Sequence, residues 1–162
     1  MPQVTNAQRK KVDKMPILVV EDNPDHWLLI RSVLKECIPE ITPIWVADPR
    51  QALGYLEACS AGTHQLPKLI LQDLYLPRRD DGWALLKAIK ENPAYQSIPV
   101  CLLSQSKDQV DIETCYQLGG NSFIRKPITF HQWKATFYTF RAYWWQLVTL
   151  SPDSFSKTAG NK

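Results

Sequence analysis

The sequence predicts an α/β fold, a doubly wound five-stranded parallel sheet with five helices. Short apolar runs rich in β-branched residues alternate with longer amphipathic segments, as in repeated βα units. The run ILVV at residues 17–20 is apolar throughout, which is typical of strands covered on both faces. At 162 residues the chain is long enough for one core. We expect one domain at residues 15–150 between a disordered basic arm (1–14) and a disordered tail (151–162).

Each element has its own local signal. Asn23 and Asp48, each followed by proline, predict the starts of the first two helices. Gly82 is expected to lead the third helix, Gly119 to end the fourth, and Thr129 to cap the fifth. The predicted strands cover residues 17–20, 41–46, 69–71, 100–103 and 122–124. The predicted helices run from 24 to about 37, 49 to about 60, 82 to 90, about 109 to 118, and about 129 to 148.

This alternation favours the flavodoxin-like strand order 2-1-3-4-5, in which ligands bind at the carboxyl ends of the strands. Those ends carry Glu21 and Asp22, Asp73, Ser104 and Lys126 in chain order. Three carboxylates in one place repel each other unless a cation lies among them, and oxygen ligands with open positions suit Mg²⁺. The sequence therefore predicts a magnesium site.

A carboxylate in such a site can act as the nucleophile toward a phosphoryl group. Asp73 lies on the central strand and is the predicted nucleophile. Lys126 is expected to pair with phosphoryl oxygens, and Ser104 to donate its hydroxyl to the attached group. Any of these residues alone would be an ordinary cap or loop residue. Their occurrence together at successive strand ends indicates a site.

Four segments carry a family resemblance: ILVVEDNPD, LILQDLYLPRRDDGW, VCLLSQS and GGNSFIRKP. Together they resemble the receiver domain of two-component response regulators, from residue 15 to about 140. The resemblance implies an acidic pair of Glu21 and Asp22, with Asp22, Asp73 and the Tyr75 backbone carbonyl as Mg²⁺ ligands. It also implies phosphoryl transfer from a histidine kinase to Asp73. The chain would then be a phosphoacceptor rather than an enzyme, with at most slow autodephosphorylation.

The same resemblance implies a two-state switch. Ser104 is expected to move toward the phosphoryl group and Phe123 to swing inward with it, which remodels the face of the fourth helix, fifth strand and fifth helix. The Lys126–Pro127 bond is expected to be cis.

Three features depart from the usual family pattern. The loop PRRDDG is one residue longer than usual, so we expect the start of the third helix to be displaced. Tyr75 and Gln105 are larger than is common at their positions. We expect both to crowd the phosphoryl pocket and to affect rates of phosphorylation and hydrolysis.

Charge and composition exclude several classes of protein. Residues 1–14 and 151–162 carry net charges of +3 and +1, whereas residues 15–150 carry 13 basic against 14 acidic residues, so nucleic-acid binding is not expected. The four cysteines lack metal-site spacing and are predicted to be reduced core thiols. No apolar run is long enough to span a membrane, and residues 1–14 lack the apolar block that is typical of a signal peptide. We expect a cytoplasmic protein.

The last helix carries an aromatic stripe at helical spacing. The stripe contains Trp133, Phe137, Phe140, Trp144 and Leu147, and a second apolar edge contains Tyr138, Trp145 and Val148. We expect the turns at residues 144 and 145 to project or pack on another surface, and a homodimer through this region; the alternative is that the segment YWWQLV folds back on its own domain. The aromatic end is similar to that of stand-alone cyanobacterial phytochrome response regulators. This similarity suggests signalling by protein contact and a phytochrome-like histidine kinase as partner.

Other functions were weighed against this one. A phosphorylation-independent interaction module with the receiver fold is the main alternative, supported by Tyr75 and Gln105. A flavodoxin would need a phosphate-binding loop after the first strand, where this chain has the acidic segment EDNPD. A phosphatase with an aspartyl nucleophile would need a DxD arrangement there, which the sequence lacks.

Overall fold

The computed structural model describes residues 14–147, in which five strands and five helices alternate strictly along the chain. The strands are β1 (Met15–Val20), β2 (Ile41–Val46), β3 (Leu69–Asp73), β4 (Val100–Ser104) and β5 (Ser122–Arg125). The helices are α1 (Pro24–Cys37), α2 (Pro49–Ser60), α3 (Arg79–Glu91), α4 (Gln109–Gln117) and α5 (Phe130–Arg141), and a π-helical segment, Ala142–Leu147, continues α5. No helix in this part of the chain is long and apolar enough to cross a bilayer.

All five strands are parallel, in the order β2-β1-β3-β4-β5, and this confirms the predicted fold. The register aligns the carboxyl ends of the strands. Val20 pairs with Gln72, and the next residue of β3, Asp73, pairs with Leu103 of β4. The polar residues that end β1, β3 and β4 therefore lie along one edge of the sheet.

Alternate strand residues serve two separate cores, because successive side chains point to opposite faces. Ile17 and Val19 pack with α1 and α5, whereas Leu18 and Val20 pack with α2, α3 and α4. Both faces are thus covered, which explains the unbroken apolar runs. The predicted core thiols are confirmed, since all four cysteines are buried and free.

The first two helices begin where their caps predict. The Asn23 side chain accepts hydrogen bonds from the amides of Asp25 and His26, and that of Asp48 accepts one from Gln51. These local bonds satisfy amides that have no partner inside the helix.

The third helix begins at Arg79, so the prediction that Gly82 leads it was wrong. The Asp81 carboxylate accepts the Arg78 amide at 3.2 Å, and this cap draws the lengthened loop into an earlier helical turn. Gly82 has a different role: a Cβ there would lie 1.8 Å from the Leu74 carbonyl oxygen. Only glycine allows α3 to approach the end of β3 so closely.

The last helix ends differently from expectation. Thr129 caps α5 as predicted, since its hydroxyl accepts the Gln132 amide at 3.2 Å. Trp144 does not project: it is 7% exposed and belongs to the core beside α1. Its spacing of four from Phe140 keeps it on the buried stripe, where the two rings lie 6.2 Å apart. The side chains of residues 145 and 147, Val148 and the predicted disordered tails before residue 14 and after 150 lie outside the described residues.

Candidate functional site

A cleft of about 230 Å³ opens at the carboxyl edge of the sheet. Its position agrees with the rule that ligands of such sheets bind beyond the strand ends. The cleft is lined by Glu21, Asp22, Asn23, His26, Asp73, Tyr75, Pro77, Gln105 and Lys126. Most of the predicted site residues therefore come together, including Tyr75 and Gln105, the two residues expected to crowd the pocket.

Three carboxylates converge in this cleft. One oxygen from each of Glu21, Asp22 and Asp73 lies within 4.8 Å of the others. Glu21 and Asp73 are buried, whereas Asp22 is exposed to solvent. Hard oxygen ligands with an open side suit a divalent cation that keeps part of its water shell. The acidic cluster fits a metal site.

Lys126 is shared between two of these acids. Its Nζ donates to Glu21 Oε2 at 2.8 Å and to Asp73 Oδ2 at 3.0 Å, and the Lys126 side chain is buried. Burial and the neighbouring charge of Asp73 raise the pKa of Glu21 to about 7, and the opposing charge of Lys126 does not offset them. The cleft thus carries more negative charge than its lysine can neutralise.

Backbone and ring donors orient the acids. The Tyr75 amide donates to Asp73 Oδ1 at 3.2 Å, and the Asn23 amide donates to Glu21 Oε1 at 3.1 Å. The Trp45 indole donates to the Glu21 carbonyl oxygen at 2.8 Å, which ties the end of β1 to β2. The carboxylates are therefore held in place on both sides of Lys126.

The two predicted switch residues lie outside the lining of the cleft. Ser104 is fully buried, and its hydroxyl oxygen accepts the Ser106 amide at 3.1 Å within its own loop. Phe123 is half-buried and packs against the core on the side of α2, α3 and α4. In this arrangement the Ser104 hydroxyl oxygen accepts a hydrogen bond from within its own loop.

The prediction of a cis Lys126–Pro127 bond was wrong. Within residues 14–147 the cis peptide bond is Leu76–Pro77. Lys126 is positioned by other contacts: its amide donates to the Ser104 carbonyl oxygen at 2.8 Å, and its Nζ is held by the two acids.

Sequence reasoning missed two parts of the site. His26 lines the cleft, and its Nδ1 lies 3.2 Å from Lys126 Nζ. Its position in the first turn of α1, three residues after the cap Asn23, was the available signal. The second omission is Arg79, which donates to the Tyr75 hydroxyl at 3.0 Å and also pairs with Asp111. Arg79 and Asp111 lie 32 residues apart in the chain, and no local sequence pattern predicts their contact.

Comparisons with known proteins agree with the geometry. Residues 17–137 match the response regulator receiver domain. The chain is 34% identical over 132 residues to the probable methanogenesis regulatory protein FilR2 of Methanothrix harundinacea, covering 82% of this chain and 84% of that protein. It is 31% identical over 137 residues to the response regulator Rcp1 of Synechocystis sp., covering 83% and 91%.

Solved structures give the same result. The phosphorylated cyanobacterial phytochrome response regulator RcpA is similar with a TM-score of 0.76 and 32% identity, covering 86% of this chain and 99% of that one. The Mn²⁺-bound form of Rcp1 is similar with a TM-score of 0.75 and 30% identity, covering 85% and 99%.

Proposed function

Because the chain belongs to the response regulator receiver domain family, we propose that it is a signalling protein switched by phosphorylation of Asp73. The observation that carries this proposal is the shared lysine: Asp73 and Glu21 compete for Lys126 in a cleft with surplus negative charge. Asp73 lies at the centre of the sheet edge, with one carboxylate oxygen on Lys126 and the other on the Tyr75 amide.

The chemistry is nucleophilic attack by a carboxylate. An Asp73 oxygen attacks the phosphorus of a phosphohistidine, the P–N bond breaks, and the donor imidazole leaves with the electron pair. Lys126 lies within reach of both carboxylates and is placed to pair with the incoming oxygens. The Ser104 hydroxyl donates to the attached group once it turns toward the cleft, and Phe123 follows it inward.

A Mg²⁺ ion is part of this proposal. Glu21, Asp22 and Asp73, with the Tyr75 backbone carbonyl, are the groups that would hold it, Asp22 and Asp73 directly. The ion supplies positive charge that offsets repulsion between the carboxylates and the phosphoryl oxygens. The similarity to Rcp1, which has a Mn²⁺-bound form, supports a divalent cation here.

The test is intact-protein mass spectrometry after incubation with acetyl phosphate and Mg²⁺. We expect wild type to gain one phosphoryl group, and EDTA or Asp73→Ala to abolish the gain. Asp80→Ala removes an exposed acid from the start of α3 and should leave the gain unchanged. No gain in wild type would reject the proposal and favour a phosphorylation-independent interaction module.

The proposed phosphoryl donor is a sensor histidine kinase of the phytochrome type. Similarity to Rcp1 and to the phytochrome response regulator RcpA supports this choice. Transfer of phosphoryl from an autophosphorylated cyanobacterial phytochrome to the chain, measured against a chemotaxis kinase at equal concentration, tests it. Equal or faster transfer from the chemotaxis kinase would argue against a phytochrome partner.

The proposed output is contact between proteins, including a homodimer through the region of the C-terminal helix. A groove of about 620 Å³ lies beside α5 and is lined in part by Tyr116, Ile124 and Tyr143, of which both tyrosines are about half exposed. Sedimentation velocity should give a dimer for wild type and a monomer for Tyr143→Glu. The exposed control Leu28→Glu lies on α1 and should remain dimeric.

A further inference from the structure

A second buried carboxylate lies outside the acidic cleft. Asp111, in the first turn of α4, is 1% exposed. Its Oδ2 lies 3.2 Å from Arg79 Nη2 and accepts a hydrogen bond from the Ser106 hydroxyl. An ionised carboxylate is buried at high cost unless it is paired and hydrogen-bonded. The contacts from Arg79 and Ser106 therefore decide whether the start of α4 can close against α3.

Arg79 connects this carboxylate to the edge of the cleft. It is the first residue of α3, and its guanidinium donates to the Tyr75 hydroxyl and lies 5.7 Å from the centre of the Tyr75 ring. The Tyr75 amide in turn donates to Asp73 Oδ1. One side chain thus contacts both the segment that follows the phosphoacceptor and the start of α4.

Ser106 connects the same carboxylate to Ser104. The Ser106 amide donates to the Ser104 hydroxyl oxygen at 3.1 Å, and the Ser106 hydroxyl accepts the Asp108 amide at 3.1 Å. These bonds join consecutive turns of the loop between β4 and α4 and involve the Ser104 hydroxyl oxygen as an acceptor. Asp111, which pairs with Arg79, lies just beyond the far end of this loop.

We propose that Arg79 and Asp111 are positioning residues whose ion pair holds the β4–α4 loop in the arrangement in which the Ser104 hydroxyl oxygen accepts the Ser106 amide. This inference rests on the proposed role of Asp73 only where it concerns phosphorylation. Contacts that are made in only one of two states stabilise that state, and they lower the population of the other state. Weakening the ion pair therefore makes the phosphoryl-engaged arrangement easier to reach.

The experiment compares four variants with wild type. Asp111→Asn removes the charge but keeps an acceptor for Ser106, and Arg79→Gln removes the cation. Arg79→Lys is the conservative variant, because it keeps a cation. The double variant of Arg79→Gln with Asp111→Asn removes both charges, and it serves as the test if either single change unfolds the protein. Glu91→Gln is the control, because it breaks an exposed ion pair with Lys87 on the same helix.

Two quantities are measured. We expect the amides of Ser106 and Asp108 in the unphosphorylated protein to exchange hydrogen about tenfold faster in Asp111→Asn and in the double variant. We expect the rate constant for Asp73 phosphorylation by acetyl phosphate at saturating Mg²⁺ to rise several-fold in the same variants. Arg79→Lys should raise both the exchange rates and the phosphorylation rate less than Arg79→Gln does. Glu91→Gln should change neither quantity.

Unchanged exchange at Ser106 and Asp108 would overturn the inference. Faster exchange with an unchanged or slower phosphorylation rate would overturn the link between the loop and phosphorylation. A wild-type protein that accepts no phosphoryl group would reject the proposed function instead, and the exchange rates would still decide whether the ion pair holds the loop.

Discussion

Two clusters of acids and cations lie near the same edge of the sheet, and they differ in charge balance. In one, Glu21 and Asp73 share the single cation Lys126, and exposed Asp22 adds further negative charge. In the other, Asp111 pairs with Arg79, which also donates to the Tyr75 hydroxyl, and accepts a hydrogen bond from the Ser106 hydroxyl. The first cluster carries more carboxylates than cations and fits a metal ion, whereas in the second one carboxylate faces one guanidinium. We propose that the surplus charge marks the site of chemistry and the balanced pair a structural contact.

The largest expected effect comes from removing the shared cation. Lys126→Met leaves two buried carboxylates without a cation beside them, and we expect the metal-free protein to lose about 3 kcal/mol or more of unfolding free energy. Urea unfolding in EDTA measures it, and saturating Mg²⁺ should restore part of the loss. The control Lys87→Met removes an exposed lysine from α3 and should change stability by less than about 0.5 kcal/mol. Equal losses in the two variants would mean that Lys126 contributes no more to stability than an exposed lysine, which would contradict its role as the shared cation.

The second effect is a pH dependence of stability. Because burial and Asp73 raise the pKa of Glu21 from 4.5 to about 7, the folded protein retains a proton that the unfolded chain releases between these values. The unfolding free energy of the metal-free protein should therefore fall as pH rises through this window, by at most about 1.4 kcal/mol per pH unit. Above pH 7 this contribution is constant.

Glu21→Gln checks the assignment of that pH dependence. The amide does not titrate, so the fall in stability between pH 4.5 and 7 should disappear from urea unfolding curves. Saturating Mg²⁺ should flatten the wild-type profile in the same way, since a bound cation favours the ionised carboxylate. A profile that keeps its slope in Glu21→Gln would assign the titration to another group.

The smallest effect concerns the support of the acidic cluster. Trp45 donates to the Glu21 carbonyl oxygen and stacks on Trp27 with ring centres 5.5 Å apart. Trp45→Phe keeps a ring for stacking and loses the hydrogen bond, so we expect a loss of about 1 kcal/mol. Thermal unfolding measures it. A loss above that of Lys126→Met would mean that the strand end, rather than the lysine, holds the cluster.

Much of the fold was predictable because its signals are local. Caps such as Asn23, Asp48 and Thr129 accept hydrogen bonds from amides no more than three residues ahead, so the starts of α1, α2 and α5 can be predicted from short stretches of sequence. The start of α3 was not predictable in this way. Gly82 is required by the close approach of the Leu74 backbone and does not mark a helix boundary. Trp144 was misjudged for a similar reason, since its burial depends on the core beside α1.

The acidic cleft was likewise predictable, whereas the ion pair beside it was not. Strand ends in a parallel sheet meet at one edge, so Glu21, Asp73 and Lys126 could be placed together from topology alone. The contact between Arg79 and Asp111 depends on how the first turns of α3 and α4 lie against each other, and neither residue lies at a strand end. Such a long-range contact between two helix starts leaves no periodic signal in the sequence.

Mg²⁺ titration by calorimetry on a matched pair of variants tests the comparison most directly. Asp22→Asn lowers the surplus charge of the acidic cluster, whereas Asp111→Asn changes the balanced pair by the same one charge. We expect wild type and Asp111→Asn to bind Mg²⁺ with similar affinity, and Asp22→Asn to lose binding by at least about tenfold. Equal weakening in both variants, or none in Asp22→Asn, would contradict the assignment of chemistry to the acidic cleft.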